Sequence, residues 1–261
     1  MRIISWNVFV KNRKIKKGIY YILSLHPDII CLQEVPHAIM PWLATLRGYT
    51  VSSCFDWKHR RKSTKHAYVC TLTKQKPIRV RIHQFGPGKI RSIMNTVLYG
   101  LILHNIEQHN ALVVILKTPV GKLQIANTRL SCASNIISRL EMFHIMIQTI
   151  RRKDIPTMYC GDFNVVDSKI FKLFTGWLRG FHIFDYRINE RIAFEILFAK
   201  ERLVNIFRGK STIFVNRPLL QFDHILVPAL FTTQSHTVLR KRYGSDHRVL
   251  IADINVSKKI S

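Results

Sequence analysis

The few acidic residues of this chain lie where strand-like segments begin or end. Only 15 of the 261 residues are Asp or Glu, whereas 41 are Lys or Arg. The acidic, amide and imidazole side chains at these positions are those of Asn7, Glu34, Asp162, Asn164, Asp223, Asp246 and His247. Side chains at the ends of separate strands can converge on one rim of a sheet. Groups of these types, brought together, could bind a cation and activate a water molecule for hydrolysis.

An alternative is that these residues only terminate strands, because Asp and Asn often form Asx turns there. For a single residue that is the simpler interpretation. Five acid- or amide-bearing strand ends, together with the sequence Ser245-Asp246-His247, favour a shared site instead.

Short apolar segments predict the strands that must position these residues. The segments are 2–8, 28–33, 67–73, 112–116, 122–130, 157–163, 222–228 and 248–254. Apolar residues at helical spacing predict helices over 15–23 and 136–150, and weaker patterns predict helices within 168–178 and 190–204. Residues 57–66 and 84–96 are interpreted as long loops. Many strands with a few helices between them indicate a sheet-centred α/β or α+β fold.

The composition indicates a folded chain. Hydrophobic residues make up 47% and charged residues 21%, and no linker-like stretch divides the sequence, so we expect one domain over residues 1–261. No apolar run reaches the roughly 18 residues of a transmembrane helix, and no secretory signal is visible. Five cysteines without a CxxC pair indicate a reducing compartment such as the cytoplasm, although non-classical export stays open.

Five short motifs carry a family resemblance. In order along the chain they are SWNV (5–8), LQEV (32–35), GDFN (161–164), FDHIL (222–226) and GSDH (244–247). Together they resemble the endonuclease/exonuclease/phosphatase superfamily, which includes DNase I and exonuclease III, and the resemblance extends from Arg2 to about Asn255. It implies a four-layer α/β/β/α sandwich, with two packed and mainly antiparallel sheets flanked by helices. It also implies metal-dependent hydrolysis of phosphoesters.

The resemblance implies a divalent-cation site formed by Asn7, Glu34 and Asp246. The oxygen donors of these side chains suit Mg²⁺ or Mn²⁺, which prefer carboxylates, amides and water to sulfur or imidazole.

Four further residues take roles through the same resemblance. Asp162 resembles the carboxylate that orients or deprotonates the attacking water, and Asn164 resembles the amide that donates to the phosphate. His247 resembles the imidazole that contacts the scissile phosphate, and Asp223 resembles the carboxylate that holds this ring. These types suit in-line attack on a phosphodiester, because a cation and fixed donors stabilise the charge that builds on the phosphate oxygens.

One position departs from the family pattern. Where the family has Asn-Thr-His-Leu, this chain has Asn127-Thr128-Arg129-Leu130. Arginine keeps a positive charge and can bind two phosphate oxygens, but it cannot donate a proton near neutral pH. We therefore expect Arg129 to bind and stabilise the phosphate rather than to act as an acid.

The charge indicates a polyanionic partner, either nucleic acid or an anionic membrane surface, and the positions of the basic clusters favour nucleic acid. The formal net charge is +26, and a polyanion is the common target of such a protein. Basic clusters occupy residues 11–17, 58–66, 151–153 and 240–242. The second cluster adjoins Trp57, which could stack on a base. We therefore expect a metal-dependent phosphodiesterase that acts as a nuclease on DNA or RNA, as a monomer.

Two alternatives stay open from the sequence. One is a lipid or inositol-phosphate phosphoesterase of the same superfamily, since the fold does not name the substrate. The other is a catalytically impaired polyanion-binding protein, for which Arg129 in place of histidine is the direct argument.

Overall fold

Strands account for much of the chain, and helices lie between them. The computed structural model describes residues 1–86, 94–102, 104–119, 121–166, 168–214 and 220–256. The strands are β1 (Arg2–Asn7), β2 (Ile29–Pro36), β3 (Thr50–His59), β4 (Ala67–Thr73), β5 (Arg79–Gln84), β6 (Asn105–Glu107), β7 (Asn110–Thr118), β8 (Gly121–Arg129), β9 (Thr157–Asp162), β10 (Leu203–Asn205), β11 (Asp223–Pro228), β12 (Thr232–Val238) and β13 (Leu250–Asn255). The α-helices are α1 (Ile15–Ser24), α2 (Met40–Ala44), α3 (Ile136–Ile150), α4 (Lys169–Thr175) and α5 (Glu190–Lys200).

The strands form two mixed sheets. The first sheet has the order β12-β13-β1-β2-β4-β3-β6, and the second has the order β10-β11-β9-β8-β7-β5. The pairs β1–β2 and β8–β9 are parallel, and the other pairs are antiparallel. A parallel pair needs a crossover connection, which α1 supplies for the first pair and α3 for the second. The carboxyl ends of each parallel pair therefore lie at one edge of their sheet.

Three apolar layers hold the sheets and helices together. Cys31 of the first sheet and Met158 of the second are fully buried in the layer between the sheets. Ile19 of α1 packs in the layer outside the first sheet. Phe143 of α3 and Phe194 of α5 pack outside the second sheet, with ring centroids 5.8 Å apart. The expected four-layer sandwich is therefore confirmed.

A buried ion pair fastens the outer helices to the chain near the ends of β8 and β9. Nε of Arg139 on α3 donates to Oε1 of Glu190 on α5 at 2.7 Å, and both side chains are fully buried. Arg139 also donates to the carbonyl oxygen of Ser134, beyond the end of β8. The backbone N–H of Val166, beyond the end of β9, donates to Oε2 of Glu190 at 3.2 Å.

Most of the predicted elements are present, and α3 begins and ends at the predicted residues. The prediction of a loop over 57–66 is partly wrong, because β3 continues to His59 and its last residues pair with β6. In the loop predicted over 84–96, Gln84 belongs to β5, and residues 87–93 lie outside the described residues. Among the helices of the described residues, none has the length and hydrophobicity needed to span a membrane.

Candidate active site

Asn7 and Glu34 come from the two parallel strands of the first sheet. Asn7 ends β1 and pairs with Gln33 of β2, so that Glu34 follows at the same edge. The β2–β4 register shifts between Leu32 and Val35, and Glu34 has a φ of 53° there, which turns its side chain toward the rim. Nδ2 of Asn7 donates to Oε1 of Glu34 at 3.2 Å and to Oδ2 of Asp162 at 2.9 Å. Asn7 therefore joins the rims of the two sheets.

Asp162, Asp223 and His247 form a buried cluster. Asp162 on β9 pairs with Asp223 on β11, and each of the three residues places one polar atom within 4.8 Å of the others. Nδ1 of His247 lies 2.8 Å from Oδ2 of Asp223. Burial alone would lower the pKa of His247, but the charges of Asp223 and Asp162 raise it to about 10. An imidazole that is protonated at neutral pH cannot bind a metal, so this ring is better suited to donate to an anion.

Asp162 is held by the residues that follow it. The backbone N–H of Asn164 donates to Oδ1 of Asp162 at 3.0 Å, and its Nδ2 donates to Oδ2 at 3.1 Å. Nδ2 of Asn164 also donates to the carbonyl oxygen of Leu130 at 2.9 Å. Burial raises the pKa of Asp162, and the nearby charge of Asp223 adds to this effect against the opposing charge of His247. A carboxylate with a raised pKa is suited to accept a proton from water.

Asp246 lies on the solvent side of this cluster. Its side chain is 45% exposed, and its Oδ1 lies 4.0 Å from Nε2 of His247. Within the part of the chain that the structure describes, Oδ1 of Asp246 and Oδ1 of Asp223 are buried and have no hydrogen-bond partner. Burial and the charge of Glu34 raise the pKa of Asp246, because neighbouring carboxylates repel one another. The unpartnered Oδ1 of Asp246, close enough to Glu34 to be affected by its charge, fits a hard divalent cation.

Arg129 is turned inward among carboxylates. Its side chain is 7% exposed, and its Nε donates to Oε1 of Glu34 at 3.0 Å. Its NH1 group lies 3.4 Å from both Oδ1 of Asp56 and Oε1 of Glu107, and its Nε lies 3.9 Å from Oδ2 of Asp162. The guanidinium of Arg129 faces these acids in the structure, and its contact with a phosphate stays a prediction from the sequence.

Sequence reasoning missed Asp56 and Glu107. Asp56 belongs to β3 and Glu107 to β6, and the sequence analysis predicted neither strand. The one signal in the sequence is that both are acids in a chain with only 15 of them. Ser131 strengthens the arrangement, since its hydroxyl donates to Oε2 of Glu107 at 2.6 Å.

The eight predicted site residues form one connected group at the seam between the sheets. Asn7, Glu34, Asp246 and His247 belong to the first sheet or to the segment that leads into it, and Arg129, Asp162, Asn164 and Asp223 belong to or follow strands of the second. Three of the contacts cross the seam: Asn7 with Asp162, Arg129 with Glu34, and His247 with Asp223.

Two basic clusters lie next to this group, and a third lies away from it. Residues 11–17 follow β1, and the exposed side chains of Arg240, Lys241 and Arg242 precede Asp246. The hydroxyl of Ser245 donates to the carbonyl oxygen of Asn7 at 2.7 Å, which ties the last cluster to the rim. Residues 151–153 instead lie before β9, whose opposite end carries Asp162.

These motifs, on two sheets with flanking helices, define a known class of hydrolase folds. The Endonuclease/Exonuclease/phosphatase family matches residues 4–247, and the chain belongs to this family. The family is one of phosphoester hydrolases that include nucleases, and it generally uses a divalent metal.

Solved structures share the fold at low sequence identity. An endonuclease/exonuclease/phosphatase from Beutenbergia cavernae has a TM-score of 0.71 at 14% identity, covering 97% of this chain and 71% of that chain. The structure of D. rerio TDP2 complexed with single-strand DNA product has a TM-score of 0.64 at 17% identity, covering 98% of this chain and 99% of that chain. An AP endonuclease from Archaeoglobus fulgidus has a TM-score of 0.59 at 18% identity, covering 98% of this chain and 100% of that chain. Among curated proteins, no sequence matches this chain.

Proposed function

We propose that this protein is a divalent-metal-dependent phosphodiesterase that cleaves nucleic acid. The observation that carries the proposal is the contact chain from Glu34 through Asn7 to Asp162, beside the His247–Asp223 pair. Asn7, Glu34 and Asp246 would hold Mg²⁺ or Mn²⁺. When bound, this cation would stabilise the negative charge that develops on the phosphate oxygens.

The chain's own residues supply the proton transfers. Asp162, whose pKa is raised by burial, accepts a proton from the attacking water. Asn164 fixes both oxygens of this carboxylate, so we assign it first to orienting Asp162. Asp223 accepts from Nδ1 of His247, so Nε2 of the cationic ring can donate to the phosphate. As the new P–O bond to the water oxygen forms, the P–O bond to the leaving oxygen breaks, and Nε2 of His247 gives its proton to that oxygen.

Nucleic acid is the substrate that the charge of the protein favours. The net charge of +26 includes exposed basic residues at 240–242, close to Asp246 along the chain. A phosphate backbone that lies along such a surface gains affinity from each phosphate that is neutralised. The similar fold of TDP2, solved with a single-strand DNA product, supports the same class of substrate.

The test is a substrate panel with Mn²⁺ or Mg²⁺: plasmid DNA, single-stranded RNA, sphingomyelin and a phosphoinositide. We expect cleavage of a nucleic acid, loss of cleavage with EDTA, and loss in Asp162→Ala. The matched control is Asp154→Ala, because the Asp154 side chain is 67% exposed and lies away from the site. Cleavage that survives EDTA, or survives Asp162→Ala, would contradict the proposal.

A phospholipid phosphoesterase is the second candidate, and one observation favours it. Five large apolar side chains in the segment after Asn164 are more than half exposed. They are those of Leu173, Phe174, Trp177, Ile183 and Phe184. Exposed aliphatic and aromatic side chains near a basic surface are typical of proteins that dock on anionic membranes. Hydrolysis of sphingomyelin or phosphoinositide, with no cleavage of nucleic acid, would establish this candidate, whereas nucleic-acid binding without turnover would indicate the impaired binding protein.

A further inference from the structure

The guanidinium of Arg129 is enclosed by acids from four different strands. Glu34 lies on β2, Asp56 on β3, Glu107 on β6 and Asp162 on β9, and each has an oxygen within 3.9 Å of a guanidinium nitrogen. The side chains of these acids are between 1% and 15% exposed. Such a group of carboxylates repels itself strongly unless a cation lies within it.

One carboxylate oxygen beside Arg129 does not accept a hydrogen bond from it. Oδ2 of Asp56 is buried and has no hydrogen-bond partner among the described residues, and the Asp56 side chain is 4% exposed. Burial and the neighbouring acids raise the pKa of Asp56 to about 7 even with Arg129 beside it. Beside the guanidinium there is therefore a buried carboxylate oxygen of Asp56 that a stronger cation could bind.

Arg129 also donates to Oε1 of Glu34, an oxygen that could otherwise bind a divalent ion. Oε1 of Glu34 already accepts from Nε of Arg129 at 3.0 Å and from Nδ2 of Asn7 at 3.2 Å. Among the described residues, the hydrogen bond to Oε2 of Glu34 is a long one of 3.4 Å from the backbone N–H of Val10. An ion at Glu34 must therefore share Oε1 with a guanidinium or bind through the other oxygen.

We propose that Arg129 is a permanent internal cation: it fills the carboxylate pocket of Glu34, Asp56 and Glu107 and closes that pocket to a divalent ion. This inference rests on the proposed function for the ion at Asn7, Glu34 and Asp246. The pocket itself is a separate feature of the chain. Arg129 is a positioning residue in this view, since it acts on Glu34 and not on the substrate.

The test counts Mn²⁺ ions bound to the full chain, by electron paramagnetic resonance of the free ion, without any substrate. We expect one bound Mn²⁺ in the wild type. Arg129→Met removes the charge at similar length, so we expect a second bound Mn²⁺, or binding at least about tenfold tighter. In Arg129→Met/Asp56→Asn/Glu107→Gln the pocket loses its charge, and the wild-type stoichiometry should return. Arg129→Met with unchanged stoichiometry and affinity would overturn the inference.

Two further measurements keep the test decisive. Arg129→Gln has no charge but can still donate to Glu34, so it should bind Mn²⁺ as Arg129→Met does. If neither variant folds alone, recovery of the folded state on addition of Mn²⁺ supports the inference, and failure to recover overturns it. A wild type that binds no Mn²⁺, beside an Arg129→Met protein that binds one, would support the pocket while refuting the proposed function.

Discussion

The contribution of the Asp223–His247 pair to stability depends on whether the imidazole of His247 is protonated. The pKa of His247 is raised to about 10 against the effect of burial, and Asp223, at 2.8 Å from Nδ1, is the first of the carboxylates that raise it. Because the folded-state pKa lies above the ordinary value of 6.5, the cationic form stabilises the fold fully below about pH 6.5. That contribution is lost as the pH rises toward 10.

Asp223→Asn should lower the pKa of His247 and move the alkaline limb of the pH–rate profile to lower pH. The reason is that the ring loses its nearest negative charge. An NMR titration of the His247 ring measures the pKa directly, beside the pH dependence of kcat/KM. Asp253→Asn, which removes a carboxylate paired with Arg2 instead, should leave both unchanged. An alkaline limb that does not move in Asp223→Asn would show that His247 does not act as the cation.

Asp56 should make the stability of the protein depend on pH in a different window. Its pKa is raised from 3.8 to about 7, so the neutral carboxyl favours folding below about pH 3.8, and this contribution is lost as the pH rises through 7. Asp56→Asn keeps the shape without the ionisation. We expect its free energy of unfolding, measured by urea denaturation, to change less between about pH 4 and 7 than that of the wild type. Parallel curves for the two proteins would contradict the raised pKa.

At the scale of elements, the α3–α5 contact supports β8 and β9, two of the three strands of the second sheet that carry site residues. The Arg139–Glu190 pair reaches Ser134 after β8 and Val166 after β9. Breaking one partner of a buried ion pair leaves the other charge without compensation, which typically costs about 3–5 kcal/mol.

Glu190→Gln should therefore destabilise the protein by about 3–5 kcal/mol. It should also lower activity, although Glu190 is not a site residue, because the ion pair supports the segments that follow β8 and β9. Chemical denaturation measures the first effect, and kcat at a temperature well below unfolding measures the second. Glu195→Gln on the same helix is the control, because its ion-pair partner Arg208 is 73% exposed and such a pair contributes about 1 kcal/mol or less. The glutamine also keeps an oxygen that can accept from Nδ2 of Asn205, as Glu195 does at 2.6 Å. Equal losses in the two variants would mean that the buried pair has no special role.

The elements that the sequence predicts correctly are those with a buried, apolar face. β1 and β9 are almost wholly buried, and the site residues could be predicted because they stand at the ends of such segments. β12 is mostly exposed and lies at a sheet edge, and β6 is a three-residue edge strand, so neither has the apolar pattern that indicates a strand. β5 is also a mostly exposed edge strand, and the alternation of Val80 and Ile82 with polar residues is a signal that could have predicted it. The inward turn of Arg129 depends on β3 and β6 and could not be predicted without them.

At the scale of the whole molecule, the charge of +26 predicts binding that weakens steeply with salt. If about six phosphates are neutralised, log K against log[salt] should have a slope near −5 on duplex DNA. Changing Arg240, Lys241 and Arg242 to Ala should flatten the slope by up to about three units, about one for each phosphate that is no longer neutralised.

The matched control changes Arg151, Arg152 and Lys153 to Ala. These residues are exposed and their replacement removes the same charge, but they lie before β9, at the end of the strand away from Asp162. Fluorescence anisotropy over a salt series measures both slopes. An equal flattening by the two triple variants would show that the protein binds through its overall charge and not along the site.

The placement of the site at the seam has a consequence for how the protein should fail on heating. Three contacts between the predicted site residues align its two halves. Behind them Asn127 of β8 forms buried hydrogen bonds with Gln33 and Leu32 of β2 and with Cys70 and Thr71 of β4, and the rest of the layer between the sheets is apolar. A small displacement of one sheet along the other would misalign all three contacts together without exposing the apolar layer to water. Activity therefore depends on the alignment of the two sheets. On heating, we expect activity to be lost at a lower temperature than secondary structure.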